Sequence, residues 1–298
     1  MNQPSAGSLA GSIVIPAWNE ANVIERTLEV LHAGLGPYNV QVIVACNGCT
    51  DGTAKIVEEM GLSVTVLDLP PIGKALAIRA AEQLTSALPR LYLDADTELA
   101  GASAVAVLHA LNGAAIAARP PIHYDVSMSH ALVRRFYRVR ALLPSVSNDL
   151  CGAGVYGLSA EARSRFGDFP DVVADDLFAA RIVTPNEVTI VSCPPVKVAV
   201  PRQVGDLIRT LARVYRGNRA FVASDHTPTS TQMPSANLMA PSTTGGTVRE
   251  LLGLLRNPLL VVDVVIYASL VTCGRLQSRR TSHGWERDES SRQPREPA

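Results

Sequence analysis

Two aspartates, Asp94 and Asp96, are separated by one alanine and directly follow the apolar run Leu91–Leu93. In a strand, residues i and i+2 point to the same side, so both carboxylates would face the same way where the strand ends. Two carboxylates this close repel each other unless a cation lies between them. Hard divalent cations take carboxylate and phosphate oxygens as ligands. The spacing therefore predicts a metal site at Asp94 and Asp96, the alternative being a turn with two solvated acids.

Two other polar segments follow predicted strands and precede predicted helices. They are Pro16–Glu20 and Asn47–Thr53. A third helix starts at Gly73-Lys74, where Lys74 is a cation. Helix N-termini carry unpaired N–H groups and the positive end of the helix dipole, and both favour phosphate. These segments predict a phosphate-bearing ligand at the same place as the metal.

An acid pair, Asp175-Asp176, begins another predicted helix and is followed by the apolar residues Leu177 and Phe178. An apolar environment and a neighbouring carboxylate both raise the pKa of a carboxyl group, as a general base requires. The alternative is helix capping, for which Asp is a favoured residue.

Strands and helices alternate regularly through the first hundred residues. The predicted strands are Ser12–Pro16, Val40–Cys46, Val64–Leu67 and Arg90–Leu93, and the predicted helices are Ala21–His32, Thr53–Met60 and Ala75–Ala87. This alternation predicts βαβ units, and hence an α/β fold with a mostly parallel twisted sheet covered by helices on both faces. The carboxyl ends of such strands share one edge of the sheet, where ligands bind.

In their order along the chain, these segments resemble the family 2 glycosyltransferases. They are Ile15–Glu20 (IPAWNE), Asn47–Thr53 (NGCTDGT), Gly73–Ala77 (GKALA), Leu93–Asp96 (LDAD), Gly152–Ser159 (GAGVYGLS), Phe166–Pro170 (FGDFP) and Ala174–Arg181 (ADDLFAAR). The resemblance covers about residues 12–220. It implies the nucleotide-sugar-binding glycosyltransferase A-type fold, a divalent metal (Mg²⁺ or Mn²⁺) and inversion at the anomeric carbon.

The resemblance also implies a role for each group of residues. Donor binding would involve Pro16, Ala17, Asn19, Glu20, Asn47, Lys74, Asp94, Ala95 and Asp96, with the metal on Asp94 and Asp96. Asp176 would be the catalytic base, with Asp175 beside it. The acceptor side would involve Gly152, Ala153, Gly154, Arg213 and Arg216.

Three features leave alternatives open. Many members of the family carry Asp-Asp where this chain has Cys46-Asn47, and an amide offers both a donor and an acceptor to a base. We therefore expect a UDP-sugar first and a GDP-sugar second. Arg213, Arg216 and Arg219 are spaced for one helix face, which could engage the diphosphate or the acceptor or could be solvated. His226 is a candidate third metal ligand or a solvated loop residue.

The domain organisation follows from composition. We predict a flexible N-terminus (1–11), a catalytic domain (12–222) with a nucleotide-binding half (12–100) and an acceptor half (101–222), a Ser/Thr/Pro-rich linker (223–248), an apolar helical segment (249–274) and a charged disordered tail (275–298).

The charge balance of 27 basic and 27 acidic residues argues against a nucleic-acid partner, which normally requires a basic excess. Five cysteines and a polar start of the chain favour a cytoplasmic protein. The acceptor would be a glycan, a glycolipid or a polyprenyl phosphate.

The apolar segment 251–273 raises the possibility of membrane contact. As a helix, Pro258–Cys273 would be about 24 Å long, shorter than the ~30 Å hydrocarbon core of a bilayer. Asp263 would cost about 2.5–3.5 kcal/mol at the centre of the bilayer. The sequence therefore favours either a helix lying at the inner face of the plasma membrane, flanked by arginines, or docking of this helix on the protein's own core.

Two other function classes compete. A sugar-phosphate nucleotidyltransferase also uses an α/β sheet and Mg²⁺, but it would carry a Gly-rich basic loop where this chain has Trp18-Asn19-Glu20. A degenerate homologue would bind a nucleotide sugar without turnover. The intact acids Asp94, Asp96 and Asp176 argue against it.

Overall fold

The structure, a computed structural model, describes residues 10–36, 38–223 and 244–279. The strands are β1 (Ala10–Ala17), β2 (Asn39–Asn47), β3 (Val64–Leu69), β4 (Arg90–Leu93), β5 (Ala117–Arg119), β6 (Ile122–Asp125), β7 (Val155–Leu158), β8 (Val188–Ile190) and β9 (Val196–Ala199). The helices are α1 (Ile24–His32), α2 (Thr53–Glu59), α3 (Lys74–Glu82), α4 (Gly101–Asn112), α5 (Ala131–Leu142), α6 (Pro144–Ser147), α7 (Ala160–Ser164), α8 (Asp175–Arg181), α9 (Val204–Ala223), α10 (Thr244–Leu254) and α11 (Val261–Gln277).

Seven strands form one mostly parallel sheet in the order β3-β2-β1-β4-β7-β5-β8. β1 pairs in parallel with β2 and β4, whereas β7 runs antiparallel to both of its neighbours. The carboxyl ends of β1, β2 and β4 therefore meet at one edge, as the alternation in the sequence predicts. β6 and β9 form a separate two-stranded parallel sheet.

Buried side chains cover both faces of the large sheet. Ile13 and Ile15 of β1 pack on the face that carries α1 and α4, while Val14 points to the opposite face, with Ile78 of α3 and Phe178 of α8. This alternation within one buried strand is what a sheet covered on both sides requires. The α/β fold class is confirmed.

Some element boundaries differ from the prediction. α3 ends at Glu82, five residues before the predicted end, because residues 83–89 form a turn that leads into β4. α4 had no predicted counterpart. α10 begins at Thr244, inside the segment 223–248 for which a linker was predicted, and residues 224–243 lie outside the described residues. The apolar segment 249–274 is two helices joined at Pro258–Leu260.

A buried ionic cluster fixes α3 against β4. The carboxylate of Glu82, the last residue of α3, accepts hydrogen bonds from Arg90 at 2.8 Å, from the Tyr92 hydroxyl at 2.5 Å and from Arg163 of α7 at 2.9 Å. Only 5% of the Glu82 side chain and 4% of the Arg90 side chain are exposed. Because these bonds are desolvated and complete, they hold the helix that begins at Lys74 and the strand that leads to Asp94.

The last helix docks on the protein along one face. Val264, Tyr267 and Leu270 of α11 are buried against α5 and α9, and Tyr267 stacks on Phe136 at 4.7 Å between ring centroids. Asp263, which is fully buried, accepts hydrogen bonds from Arg135 at 2.7 Å and from Arg138 at 3.1 Å. This face of α11 therefore docks on the protein's own core, which is one of the two expectations for this segment.

Candidate active site

The Asp-x-Asp segment forms a turn at the carboxyl edge of the sheet. β4 ends at Leu93, and the backbone N–H of Thr97 donates to the carbonyl oxygen of Asp94 at 3.0 Å. Asp94 and Asp96 are half-buried, and Ala95 between them is buried in the core. The two carboxylates thus remain accessible to a ligand, although they lie on a turn and not within the strand.

Lys74 connects the predicted metal site to the acid pair. Its ammonium nitrogen, in the first turn of α3, lies 2.7 Å from Oδ1 of Asp94 and 2.7 Å from Oδ1 of Asp175. The Tyr156 hydroxyl donates to the other oxygen of Asp175 at 3.1 Å. Asp175 is 5% exposed and its two oxygens are held by these donors. Asp175 therefore positions Lys74 and is poorly placed to meet a substrate.

Asp176 has the environment expected of a base. It is half-buried; its Oδ2 accepts from the backbone N–H of Gly152 at 3.2 Å, and its Oδ1 accepts from the N–H of Leu177 at 2.8 Å. Desolvation and the neighbouring Asp175 carboxylate raise the pKa of Asp176 above its ordinary value. A raised pKa makes a carboxylate a stronger proton acceptor.

The cluster carries excess negative charge. Lys74 contacts the carboxylates of Asp94 and Asp175, while Asp96 repels Asp94 and Asp175 repels Asp176. Desolvation, together with repulsion from Asp175 and Asp96, raises the pKa of Asp94 to about 6 even though Lys74 acts to lower it. A divalent cation would relieve this repulsion, so the residues present fit a metal.

The glycine segment joins the two acid sites. The carbonyl oxygen of Gly154 accepts from the N–H of Asp94 at 2.8 Å, while Gly152 donates to Asp176. Gly154 has φ +67°, and a Cβ there would lie 2.2 Å from Oγ1 of Thr97. Only glycine fits this conformation and this close approach. Ala153, predicted on the acceptor side, is buried, so its methyl group faces the core.

The loops after β1 and β2 are tied to each other. Oδ1 of Asn19, which has φ +53°, accepts from the N–H of Thr50 at 2.7 Å. The N–H of Glu20 donates to Oγ1 of Thr53 at 2.8 Å, and Asp51 accepts from the N–H of Ala21 at 3.0 Å and from that of Thr53 at 3.1 Å. These bonds hold the predicted donor-binding segment against the N-terminus of α2.

Asn47 supports the next loop through its side chain. Its Oδ1 accepts from the backbone N–H groups of Ile72 at 2.8 Å and Gly73 at 3.0 Å. The amide oxygen therefore fixes the entry to α3, and with it Lys74. Pro16 and Ala17 are buried, so a ligand at their position would meet the backbone.

The predicted arginines lie on α9. Arg219 donates to the hydroxyl and carbonyl oxygens of Ser278, which fastens α9 to the end of α11. A Cβ atom built on Gly217, which lies between Arg216 and Arg219, would be 3.8 Å from Cγ1 of Val173. Val173 comes just before the acid pair in the chain. Arg213 is exposed and Arg216 half-buried, and their acceptor role stays a prediction. His226 lies outside the described residues.

Two arginines near the site were not singled out from the sequence. Arg140 of α5 donates to the Tyr124 hydroxyl at 3.2 Å. A Cβ atom built on Gly152 would lie 3.4 Å from the NH2 nitrogen of Arg140. Arg119 is fully buried and donates to the carbonyl oxygens of Pro120, Val146, Ser147 and Asp149. It thereby fixes the chain that leads to Gly152. Spacing gave no signal for either residue, since α5 carries four arginines and Arg119 follows a short apolar run.

No group of three or more His, Cys, Asp or Glu side chains arranged to hold a metal occurs in residues 10–36, 38–223 and 244–279. A metal here would use the two aspartates and complete its coordination with diphosphate oxygens and water. This is the usual binding mode of Mg²⁺ in nucleotide sites.

Two solved structures of glycosyltransferases share this fold. The mannosyltransferase PcManGT from Pyrobaculum calidifontis, in complex with GDP-Man and Mn²⁺, aligns with a TM-score of 0.58 and 18% identity, over 90% of this chain and 86% of its own. Mannosyl-3-phosphoglycerate synthase from Rubrobacter xylanophilus aligns with a TM-score of 0.51 and 18% identity, over 76% and 78% of the two chains. At this identity the likeness establishes the fold, that of the glycosyltransferases of A type.

Sequence comparison matches part of the chain to a family. Residues 12–135 match the model of Glycosyl transferase family 2. The succinoglycan biosynthesis protein ExoA from Rhizobium meliloti is 36% identical over 84 residues, which are 27% of this chain and 26% of ExoA. The matched segment thus spans about a quarter of that relative.

Proposed function

We propose that this protein is a metal-dependent inverting glycosyltransferase that transfers a sugar from a nucleoside diphosphate to an acceptor hydroxyl or lipid phosphate. The observation that carries the proposal is the contact of Lys74 with both Asp94 and Asp175 at 2.7 Å. This contact brings the carboxylate of Asp94, which would bind the metal, together with a cation and the acid pair at one sheet edge, where Asp176 is adjacent. The matched family and the fold support it.

Asp94 and Asp96 would hold Mg²⁺ or Mn²⁺, which would neutralise the donor diphosphate and make it a better leaving group. Asp176 would remove the proton from the acceptor hydroxyl while that oxygen attacks the anomeric carbon and the bond to the diphosphate oxygen breaks. Lys74 would contribute positive charge beside the departing diphosphate. A single base without a second nucleophile leads to inversion.

The donor would be a UDP-sugar or a GDP-sugar, and the acceptor a glycan, a glycolipid or a polyprenyl phosphate in cell-surface glycan synthesis. PcManGT was solved with GDP-Man and Mn²⁺, which supports keeping a GDP-sugar as the second candidate donor. We place the protein in the cytoplasm, with peripheral contact at the inner face of the plasma membrane through residues 251–273.

The test is release of nucleoside diphosphate from UDP-sugars and GDP-sugars by the purified protein, with Mn²⁺ and after chelation. We expect release only with metal, and loss of release in Asp96→Ala. The exposed Asp168→Ala is the matched control and should behave as the wild type. Metal-independent release, or full activity of Asp96→Ala, would contradict the proposal. Binding of a nucleotide with Mn²⁺ but without any turnover would point to a non-catalytic homologue.

A further inference from the structure

Exposed apolar side chains are concentrated at the C-terminal helices. Within the described residues, eight of the fourteen large hydrophobic side chains that are exposed lie in the 36 residues from Thr244 to Arg279. They are Val248, Leu252, Leu255, Leu259, Val261, Val262, Val265 and Leu276, and we call them the apolar surface. Leu259, at the junction of the two helices, is 83% exposed. So large a cluster marks an interaction site.

The apolar surface is the outer side of helices whose inner side is docked. Val248 and Leu252 share one face of α10 because they are four residues apart, and Leu255 follows directly after the helix ends. On α11, Val262 and Val265 are exposed, while Val264 is buried. Pro258–Gln277 is long and apolar enough to cross a membrane, but the two arginine bonds to buried Asp263 fasten its first turn to α5. These contacts keep α11 lying along the protein.

The helices that carry this surface, and α5 beside them, are rich in arginine. α5 and residues 244–279 together carry eight arginines: Arg134, Arg135, Arg138, Arg140, Arg249, Arg256, Arg275 and Arg279. They carry only two acids, Glu250 and Asp263. Glu250 accepts hydrogen bonds from Ser145 at 2.6 and 3.0 Å, and Asp263 is buried by its arginines. Since the whole chain has zero formal net charge, this positive charge is a local feature.

A groove of about 510 Å³ runs between α5 and β6 beside the apolar surface. Arg134, Arg135, Arg138 and His123 line it, together with Tyr124 and Tyr137. Arg135 and Arg138 also contact Asp263, so the groove borders the first turn of α11, where Val261 and Val262 are exposed. Guanidinium groups bind phosphate through paired hydrogen bonds. The groove thus joins phosphate-binding groups to apolar side chains.

We propose that α5, α10 and α11 form a docking surface for a bilayer that contains anionic phospholipid. The apolar surface would enter the boundary between headgroups and acyl chains, and the arginines would contact lipid phosphates, as in helices that lie in the membrane interface. Arg140 at the end of α5 lies beside Gly152, so docking would bring the candidate active site to the membrane. This inference deepens the membrane part of the proposed function.

The test is flotation of the full chain with vesicles of phosphatidylcholine alone and with vesicles that also contain phosphatidylglycerol. We expect flotation with the anionic vesicles only. The double variant Val262→Glu/Val265→Glu should reduce the bound fraction at least tenfold, and so should Leu259→Glu, whose 83% exposed side chain makes loss of folding implausible as the cause. The matched control is Leu84→Glu, which places the same charge on an exposed leucine beyond α3 and should float as the wild type.

Absence of wild-type flotation, equal flotation of Leu259→Glu, or equal binding to neutral vesicles would overturn the inference. A wild-type dimer in size-exclusion chromatography that Leu259→Glu converts to a monomer would assign the surface to a second copy of the chain and would also overturn it. Metal-dependent release of nucleoside diphosphate is measured on the same variants without vesicles. If the wild type does not float but releases nucleoside diphosphate, only the membrane inference is refuted, whereas flotation of the wild type without release refutes only the proposed catalysis.

Discussion

The ammonium of Lys74 lies 2.7 Å from Oδ1 of Asp94, so the helix that follows β3 and the turn that follows β4 meet in one ion pair at the sheet edge. Lys74 contacts Asp175 over the same distance, which extends the connection to α8. At the other end of α3, the carboxylate of Glu82 binds Arg90 at the start of β4, which fixes the helix and the strand that carry the pair. The geometry of the candidate metal site and that of the acid pair therefore depend on the same lysine.

Asp176→Asn should separate catalysis from donor binding. The amide keeps the shape of the side chain but cannot accept a proton, so we expect turnover to fall at least ~10²-fold. Donor affinity with Mn²⁺ should stay within about twofold, since Asp176 bonds to Gly152 and Leu177 and not to Lys74. Steady-state rates and calorimetric titration measure the two quantities.

Asp171→Asn is the matched control for this variant, because Asp171 is exposed and lies five residues earlier in the chain. It should retain wild-type turnover. A loss of tenfold or less in Asp176→Asn would place the base at another residue.

Metal binding should depend on pH through Asp94. Its pKa is raised to about 6, so the carboxyl is protonated below that pH and a metal must then displace a proton. Affinity for Mn²⁺ with nucleotide should be constant above about pH 7 and should fall below about pH 6 by up to about tenfold per pH unit. Titrations between pH 5 and 8 would show it. Constant affinity down to pH 5 would mean that Asp94 does not bind the metal.

Lys74→Met should move this pH dependence upward. The ammonium lowers the pKa of Asp94, so its removal should raise that pKa, and opposite charges at this distance typically change a pKa by about 1–3 units. The midpoint for metal binding should then lie above about pH 7. Lys55→Met is the control, since Lys55 pairs with Glu59 on the surface of α2. An unchanged midpoint in Lys74→Met would mean that Lys74 does not influence metal binding at Asp94.

Glu82→Ala should destabilise the fold. It would leave Arg90, which is 4% exposed, and Arg163 without their carboxylate, and breaking a buried ion pair costs about 3–5 kcal/mol. Urea unfolding measures the change in the free energy of unfolding. Glu59→Ala, in the surface pair with Lys55, should change it by less than about 1 kcal/mol. If the two variants changed the free energy of unfolding by similar amounts, the buried cluster would not be what holds α3 in place.

The sequence predicted the parts of the fold that depend on local pattern. β1 and β2 are continuous runs of apolar residues that pack on both faces, and polar segments follow them at the edge. Asp94 could be selected because an acid at a strand end faces the sheet edge, and Asp176 because its acid pair matches the family that the chain resembles. β7 could not be recognised as antiparallel, since strand direction depends on pairing across the sheet.

Other features depend on contacts between distant parts of the chain. α4 is made of small apolar residues on nearly all sides, so it has no helical periodicity in its hydrophobic pattern. Glu82 and Arg163 are 81 residues apart, and Arg140 lies near Gly152 only in the folded chain. The role of Asn47 in holding Ile72 and Gly73 likewise follows from the folded loop and not from the spacing of residues.

The most direct test of the central claim is the thermal stability of the protein with UDP, GDP, dTDP and CDP, each with and without Mn²⁺, for the wild type and Asp94→Ala. A ligand at 100 times its Kd adds about 2.7 kcal/mol of stability, which is readily measured as a rise in Tm. We expect a rise for UDP or GDP in the wild type, only with Mn²⁺, and none in Asp94→Ala. A rise that needs no metal, or one that persists in Asp94→Ala, would contradict a metal-dependent donor site at the end of β4.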